Sequence, residues 1–551
     1  PPPFQAEDGI RDESLRLVGS EMCIRDSYME LNNIQQIEHA TKWGRNEMFH
    51  IGTGLLFIVA IMLYASTIDV IGQPFSIELV VAAMIGGYMA MNIGANDVAN
   101  NVGPAVGSKA LTLTGAIIIA AIFEASGALI AGGDVVSTIK KGIINPELIP
   151  SGEVFIWLMM AALLAGAIWL NMATAVGAPV STTHSIVGGV LGAGIAAGGW
   201  QIANWGTMGK IAASWVISPM LGGIIAAAFL FWIKHSITYK KDKIAAAKRM
   251  VPILVSLMIM AFSTYLALKG LKKIWKIDFP TALGIGAAVA ITGYVVISPL
   301  IRKRAENLEN SKSSINSLFT VPLIFAAALL SFAHGANDVA NAVGPLAAIY
   351  DSVISGNVAS KADIPLWVMG IGALGISIGL ALFGPKLIRT VGSEITQLDQ
   401  TRAFCVAMAA AITVIIASQL GLPVSSTHIA VGGIFGIGFL REYLKSNYAK
   451  IIDDIEHHHT GSDQDDVEQF LEEFHSASIE EKSLMLQQLK AHTAKADLTK
   501  KERKALGKVY RQELVKRSAL LRIAAAWVIT VPASAIMAAI LFYTIRGMML
   551  P

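Results

Sequence analysis

Apolar residues run along this chain in long blocks broken by short polar loops. A bilayer core takes about 20 apolar residues per helix. The blocks therefore predict membrane helices near 49–68, 77–92, 111–132, 154–175, 210–233, 251–268, 281–301, 318–333, 366–388, 402–420 and 527–545. Two further apolar stretches, about 179–197 and 423–440, each open on a proline and a cluster of hydroxyl residues. Irregular backbone at membrane depth survives only where protein or a cavity satisfies it, so these stretches read as broken or re-entrant helices. The pattern predicts an all-α integral membrane protein of about 12 segments. One polar block interrupts it at 441–518, with 15 basic and 15 acidic residues across 441–522. Ser478 with Glu481, and Thr499 with Glu502, have capping-box spacing. Leu484, Leu486 and Leu489 recur at helical spacing, so a small helical soluble insert is expected. His457, His458 and His459 lack a second ligand cluster nearby and read as a solvated loop.

Composition sharpens the class. Hydrophobic residues make up 54% and charged residues 15% of 551, with mean hydropathy +0.57. Soluble domains carry about a quarter charged residues. A soluble enzyme, a nucleic-acid-binding module and a disordered scaffold are excluded. Two cysteines, Cys23 and Cys405, rule out a disulfide framework. Residues 1–27 show neither a helical period nor a signal-peptide pattern, read as non-native sequence, and are set aside.

The chain repeats itself. GANDVANNVGP at 94–104 returns as GANDVANAVGP at 335–345, and GAPVSTTH at 177–184 returns as GLPVSSTH at 421–428. Weaker echoes join Gly127–Ile139 to Gly379–Val391 and Trp215–Ile217 to Trp527–Ile529. The expected organisation is an N-terminal segment and first span (28–76), membrane repeat 1 (77–233), a basic loop with linking spans (234–317), membrane repeat 2 (318–440), the insert (441–518) and a last span (519–551). Loop 234–250 carries six Lys or Arg against one Asp, which places it in the cytoplasm. Loop 302–317 holds four more and falls on the same side, whereas loop 269–278 between them also holds four and blurs the rule. We expect the two repeats to be inverted, with substrate bound where they meet.

The repeated motifs carry the chemistry. Asp97 and Asp338 are ionisable groups in apolar surroundings, costly at membrane depth and functional by default. With Asn96, Asn100, Asn337 and Asn341 they make a hard-oxygen set suited to a coupling cation. Ser181, Thr182 and Thr183, and Ser425, Ser426 and Thr427, each follow a proline that can open a helix. Hydroxyls and free first-turn N–H groups suit a small oxyanion. Glu124 lies inside a span and is a candidate coupling group. His184 and His428 read as structural braces, and His334 aligns with Ile93 of the other repeat, so it is not half of a symmetric site. No Gly-rich nucleotide cradle is present, so ATP drive is not expected. The reading is cation-coupled anion transport.

The paired GANDVAN and P-V-S-[ST]-T-H motifs resemble those of the inorganic phosphate transporter (Pit) family, over about 77–440 and the last span. The resemblance implies an inverted-repeat secondary transporter, not an enzyme, that moves inorganic phosphate with Na+ or H+ across a bacterial inner membrane. By motif, Asp97, Ser181, Thr182, Thr183, Asp338, Ser425, Ser426 and Thr427 would bind phosphate. Asn96, Asp97, Asn100, Asn337, Asp338, Asn341 and Glu124 would serve the cation, with Glu124 in the family's FE-x-x-GA stretch. Eukaryotic members carry a second glutamate where this chain has Ala407, which puts their stoichiometry in doubt here. Expected partners are inorganic phosphate and the lipid bilayer, with a homodimer as a candidate assembly. No cofactor or metal beyond the coupling ion is expected. Two rivals stand beside this reading: sulfate transport, which some members perform, and a membrane sensor with the insert as output module.

Overall fold

Hydroxyl, amide and carboxylate side chains start the helices. Ser76, Thr112, Ser151, Asn204, Ser311 and Asp399 each accept a backbone N–H three residues on, which satisfies one of the first-turn donors that a helix leaves open. The computed structural model describes residues 47–69, 76–178, 180–270, 277–356, 364–394, 398–443 and 517–549, with isolated positions between 469 and 485. The expectations for residues 1–27, His457–His459 and the capping boxes of the insert lie outside the described residues. The chain divides into units 1–60 and 61–551. Helix α1 (Glu47–Ala65) begins in the first, and all that follows concerns the second.

Repeat 1 contains α2 (Ile77–Asn96), α3 (Val98–Gly107), α4 (Leu113–Ala131), α5 (Gly133–Lys141), α6 (Gly152–Ala175), α7 (Thr182–Gly198) and α8 (Trp205–Ile233). The linking helices are α9 (Lys243–Gly270), α10 (Phe279–Arg304) and the short α11 (Lys312–Leu318). Repeat 2 contains α12 (Thr320–Asp338), α13 (Ala340–Ser355), α14 (Leu366–Glu394), α15 (Gln400–Gln419), α16 (Ser426–Tyr443) and α17 (Arg517–Met549). No strand occurs among the described residues. Eleven described helical spans are long and apolar enough to cross a membrane, and α7 and α16 are shorter helices outside that set. Large apolar side chains such as Ile118, Ile122, Val295, Ile536 and Ile540 are exposed on the outer faces, as lipid contact requires.

The expected spans 77–92 and 318–333 are longer than predicted. Helix runs on through both GANDVAN motifs, giving spans Ile77–Gly107 and Thr320–Ser355 with a one-residue break at Asp97 or Val339. Several of their polar side chains find partners on neighbouring elements, as Asn96 does with Thr174 and Asn100 with Thr427.

Glycines show how the repeats interlock. A Cβ on Gly94 would strike the Ile376 backbone, and one on Gly335 the Glu124 backbone. Gly127 presses on Phe332 in the same way, and Gly379 on Met91. So α2 crosses α14, and α12 crosses α4, through matching residues. Gly188 and Gly192 of α7 seat on Val531 and Ala535 of α17, while Gly432 and Gly436 of α16 seat on Pro219 and Gly223 of α8. Each repeat thus completes the other, a reciprocity consistent with inversion. Small residues let backbones approach where lipid removes the hydrophobic drive for association.

Candidate functional site

The site begins with two helix ends. At the end of α6, Gly177 adopts φ 74°, Ala178 N–H donates to Ala173 O and Gly177 N–H to Thr174 O. At the end of α15, Gly421 adopts φ 67°, with Leu422 N–H on Ala417 O and Gly421 N–H on Ser418 O. Both are Schellman terminations, in which glycine takes the left-handed position without strain. The chain then leads into the hydroxyl motif. Asn96 holds this segment in repeat 1: its Nδ2 donates to Thr174 Oγ1 (2.9 Å) and Ala178 O (3.2 Å), and its Oδ1 accepts Val180 N–H. Asn337 does the same for repeat 2 with Ser418 Oγ (3.0 Å), Leu422 O (3.3 Å) and Val424 N–H. A lysine lies over each helix C-terminus, Lys386 Nζ on Ala175 O (3.0 Å) and Lys269 Nζ on Ser418 O (3.3 Å), where positive charge complements the helix dipole.

Ser181 and Ser425 then cap α7 and α16 by accepting His184 N–H and His428 N–H. The two N-terminal turns meet, with the His184 and His428 rings 4.4 Å apart edge to face and Trp215 3.8 Å from His184. The two histidines brace this junction, as expected. Beside it, Thr182 Oγ1 donates to Asp97 Oδ2 (2.5 Å) and lies 3.4 Å from Asp338 Oδ2, while Thr427 Oγ1 donates to Asp97 Oδ1 (3.0 Å). Asn100 Nδ2 reaches Thr427 across the repeats (2.8 Å), and Asn341 Nδ2 reaches Thr183 (3.2 Å). Asp97, Asp338 and both hydroxyl triads are buried together. Three acceptor-bearing atoms there have no hydrogen-bond partner among the described residues: Asp338 Oδ1, Asn341 Oδ1 and Ser426 Oγ. Unsatisfied buried polar atoms cost about 1–3 kcal/mol each, a cost that a ligand with matching groups would relieve.

One part of the site is not duplicated. Asn101 Nδ2 donates to Glu124 Oε1 (2.8 Å), Glu124 Oε2 lies 2.7 Å from His334 Nδ1, and His334 Nε2 lies 3.0 Å from Asp338 Oδ2. At the matching crossing the equivalent positions are Ala342, Ile376 and Ile93, all buried. A polar file therefore reaches Asp338 from the α4–α12 crossing, and apolar side chains take its place at the α2–α14 crossing. His334 is not half of a symmetric pair, yet it links Glu124 to Asp338. Glu124 stands 210 positions earlier, and Asn101 against Ala342, an interior difference between the two eleven-residue motifs, was the available signal. Ligand atoms of Asp97, His334 and Asp338 all lie within 4.8 Å of one another, a spacing that could hold a cation.

The sequence pattern of the Phosphate transporter family matches residues 93–538. A Helicobacter pylori protein named "Putative phosphate permease" is 54% identical over 526 residues, covering 93% of this chain and 98% of its own. A Pyrococcus abyssi protein with that description is 39% identical over 363 residues, covering 66% of this chain and 89% of its own. A solved structure described as "The sodium-dependent phosphate transporter" superposes with TM-score 0.70 at 31% identity, over 86% of this chain and all of that one.

Proposed function

The chain belongs to the phosphate transporter family, and from that premise we propose that it carries inorganic phosphate across the plasma membrane with sodium as the coupling cation. One observation carries the phosphate reading: Asp338 Oδ1 is a buried carboxylate oxygen without a hydrogen-bond partner among the described residues, beside the unpartnered hydroxyl of Ser426. Phosphate brings a P–OH proton that this oxygen can accept. Sulfate at neutral pH brings none, and would set its own oxygens against the carboxylate.

The charges support cation coupling. Asp97, Asp338 and Glu124 are buried around a single imidazole. An anion meets repulsion there until a cation joins them, since buried charge must be paired. Carboxylate, hydroxyl and amide oxygens suit hard cations, and the solved relative's description names sodium. Ser426, with the first-turn N–H groups of α7 and α16, supplies the anion donors, and Thr182 and Thr427 join them only by turning their single protons away from Asp97. Asn96 and Asn337 act one step back by holding the segments that present those donors. No covalent step is involved. Equilibrium binding of radiolabelled phosphate to detergent-purified protein tests the reading. Binding should require sodium rather than choline and resist a tenfold excess of sulfate. Displacement by sulfate would overturn the substrate assignment, and equal binding in choline would overturn the sodium assignment.

A further inference from the structure

A second group of charges lies far from the site just described. α15 and α16 both run away from it. Arg441 stands 15 residues beyond Ser426 on α16, and Arg402 stands 16 residues before Ser418 on α15. At 1.5 Å rise per residue, each arginine is about 22–24 Å from the transport site. The two helices pack on each other and on α8, whose end carries Lys234, and α11, which begins at Lys312, packs on α15. Lys234, Lys312, Arg402 and Arg441 are close enough to act on one another electrostatically.

Among the described residues the cluster holds more positive than negative charge, and Asp399 is already paired with Arg402, Oδ2 to Nη2 at 3.4 Å. Arg441 is only 8% exposed, and its guanidinium has no carboxylate partner among the described residues. Lys312 stands at the rim, where partial desolvation and then Arg402 hold its ammonium below the ordinary lysine range. A buried, unpaired guanidinium is costly, and its planar fork matches two oxygens of a phosphate group. If the transport site is at mid-membrane, about 22 Å is the depth of the lipid headgroups, since a bilayer is about 40–45 Å thick with them included.

We propose that Lys234, Lys312, Arg402 and Arg441 form a second oxyanion site for a phosphate group, separate from the transport site, at the bundle end that the basic loops assign to the cytoplasm. The phosphate can belong to an anionic phospholipid or be free in solution, and the test separates the two. In one arm, native mass spectrometry of the purified full chain measures retention of phosphatidylglycerol. In the other, equilibrium dialysis of delipidated protein counts bound radiolabelled inorganic phosphate. Arg441→Gln with Lys312→Gln should either lower lipid retention at least tenfold, which assigns a lipid, or remove one equivalent of phosphate, which assigns the free ion. Arg441→Lys, which keeps the charge, should retain most of either signal. Because each arm reads a difference between wild type and variant, failure of the transport-site reading does not alter it. Equal retention and equal stoichiometry in wild type and double variant would overturn the proposal. Should the double variant not fold, Lys312→Gln alone at the rim should weaken the assigned signal at least threefold, and an unchanged signal overturns the proposal.

Discussion

Asp97 and Asp338 come from the same motif yet do different work. Asp97 accepts both threonine hydroxyls, one from each repeat, while Asp338 meets His334 and keeps one oxygen free. Asn at either position keeps the shape and removes the charge. Transport should then fall at least tenfold, about 1.4 kcal/mol or more of lost coupling, in initial-rate uptake normalised to membrane level. Full activity of both variants would remove the carboxylates from the site. Thr182→Ala with Ser426→Ala should weaken phosphate binding while the protein still folds, because Ser426 loses a donor to a desolvated anion, worth on the order of 1.5–3 kcal/mol, and Asp97 loses the hydroxyl that holds it. An unchanged phosphate affinity would make these hydroxyls packing groups. Residue identities were legible in the sequence, because a motif repeated twice marks its own residues. Residue duties were less so. Asn96 and Asn100 look alike on paper, but one clamps the chain ahead of α7 and the other reaches across to Thr427. Lys269 and Lys386 gave no sign of capping helix ends, since their partners are 149 and 211 positions away.

At the scale of elements, hydropathy found the helices and the prolines found the broken ones. Helix runs on through the GANDVAN motifs beyond the expected span ends, because hydropathy marks where apolar residues stop and not where the helix stops. The Gly127 and Trp215 echoes were faint as text. They become contacts between matching residues once Gly127 and Gly379 sit at equivalent crossings, and Val531 and Pro219 under equivalent glycines. The seams leave no room at those glycines. Gly436→Leu puts a side chain against the Gly223 backbone and should destabilise the protein by about 1–3 kcal/mol or more, read as a lower unfolding temperature in detergent. Gly284, with nothing within 4 Å of an added Cβ, is the control, and Gly284→Ala should leave the temperature nearly unchanged. A Gly436→Leu protein as stable as wild type would contradict the packing described.

At the scale of the whole molecule, the two halves differ in one connection. α7 reaches α8 through residues 199–204, whereas 73 residues, 444–516, separate α16 from α17. The α7–α17 and α16–α8 seams match despite this, so the same packing forms with a short connection and with a long one. Deleting about residues 450–510 behind a flexible linker should leave phosphate uptake within about twofold of wild type, as expected when an inserted segment contributes little to the core. Collapse of uptake in a folded deletion protein would give the insert a part in transport. On the proposed function, one buried site shared between the repeats couples phosphate to a cation. Its most direct measurement is uptake of radiolabelled phosphate into proteoliposomes with sodium and proton gradients imposed separately. An inward sodium gradient should accumulate phosphate above equilibrium, an inward proton gradient alone should not, and Asp338→Asn should abolish the accumulation. Phosphate that only equilibrates under both gradients, or accumulation undiminished in Asp338→Asn, would contradict the account.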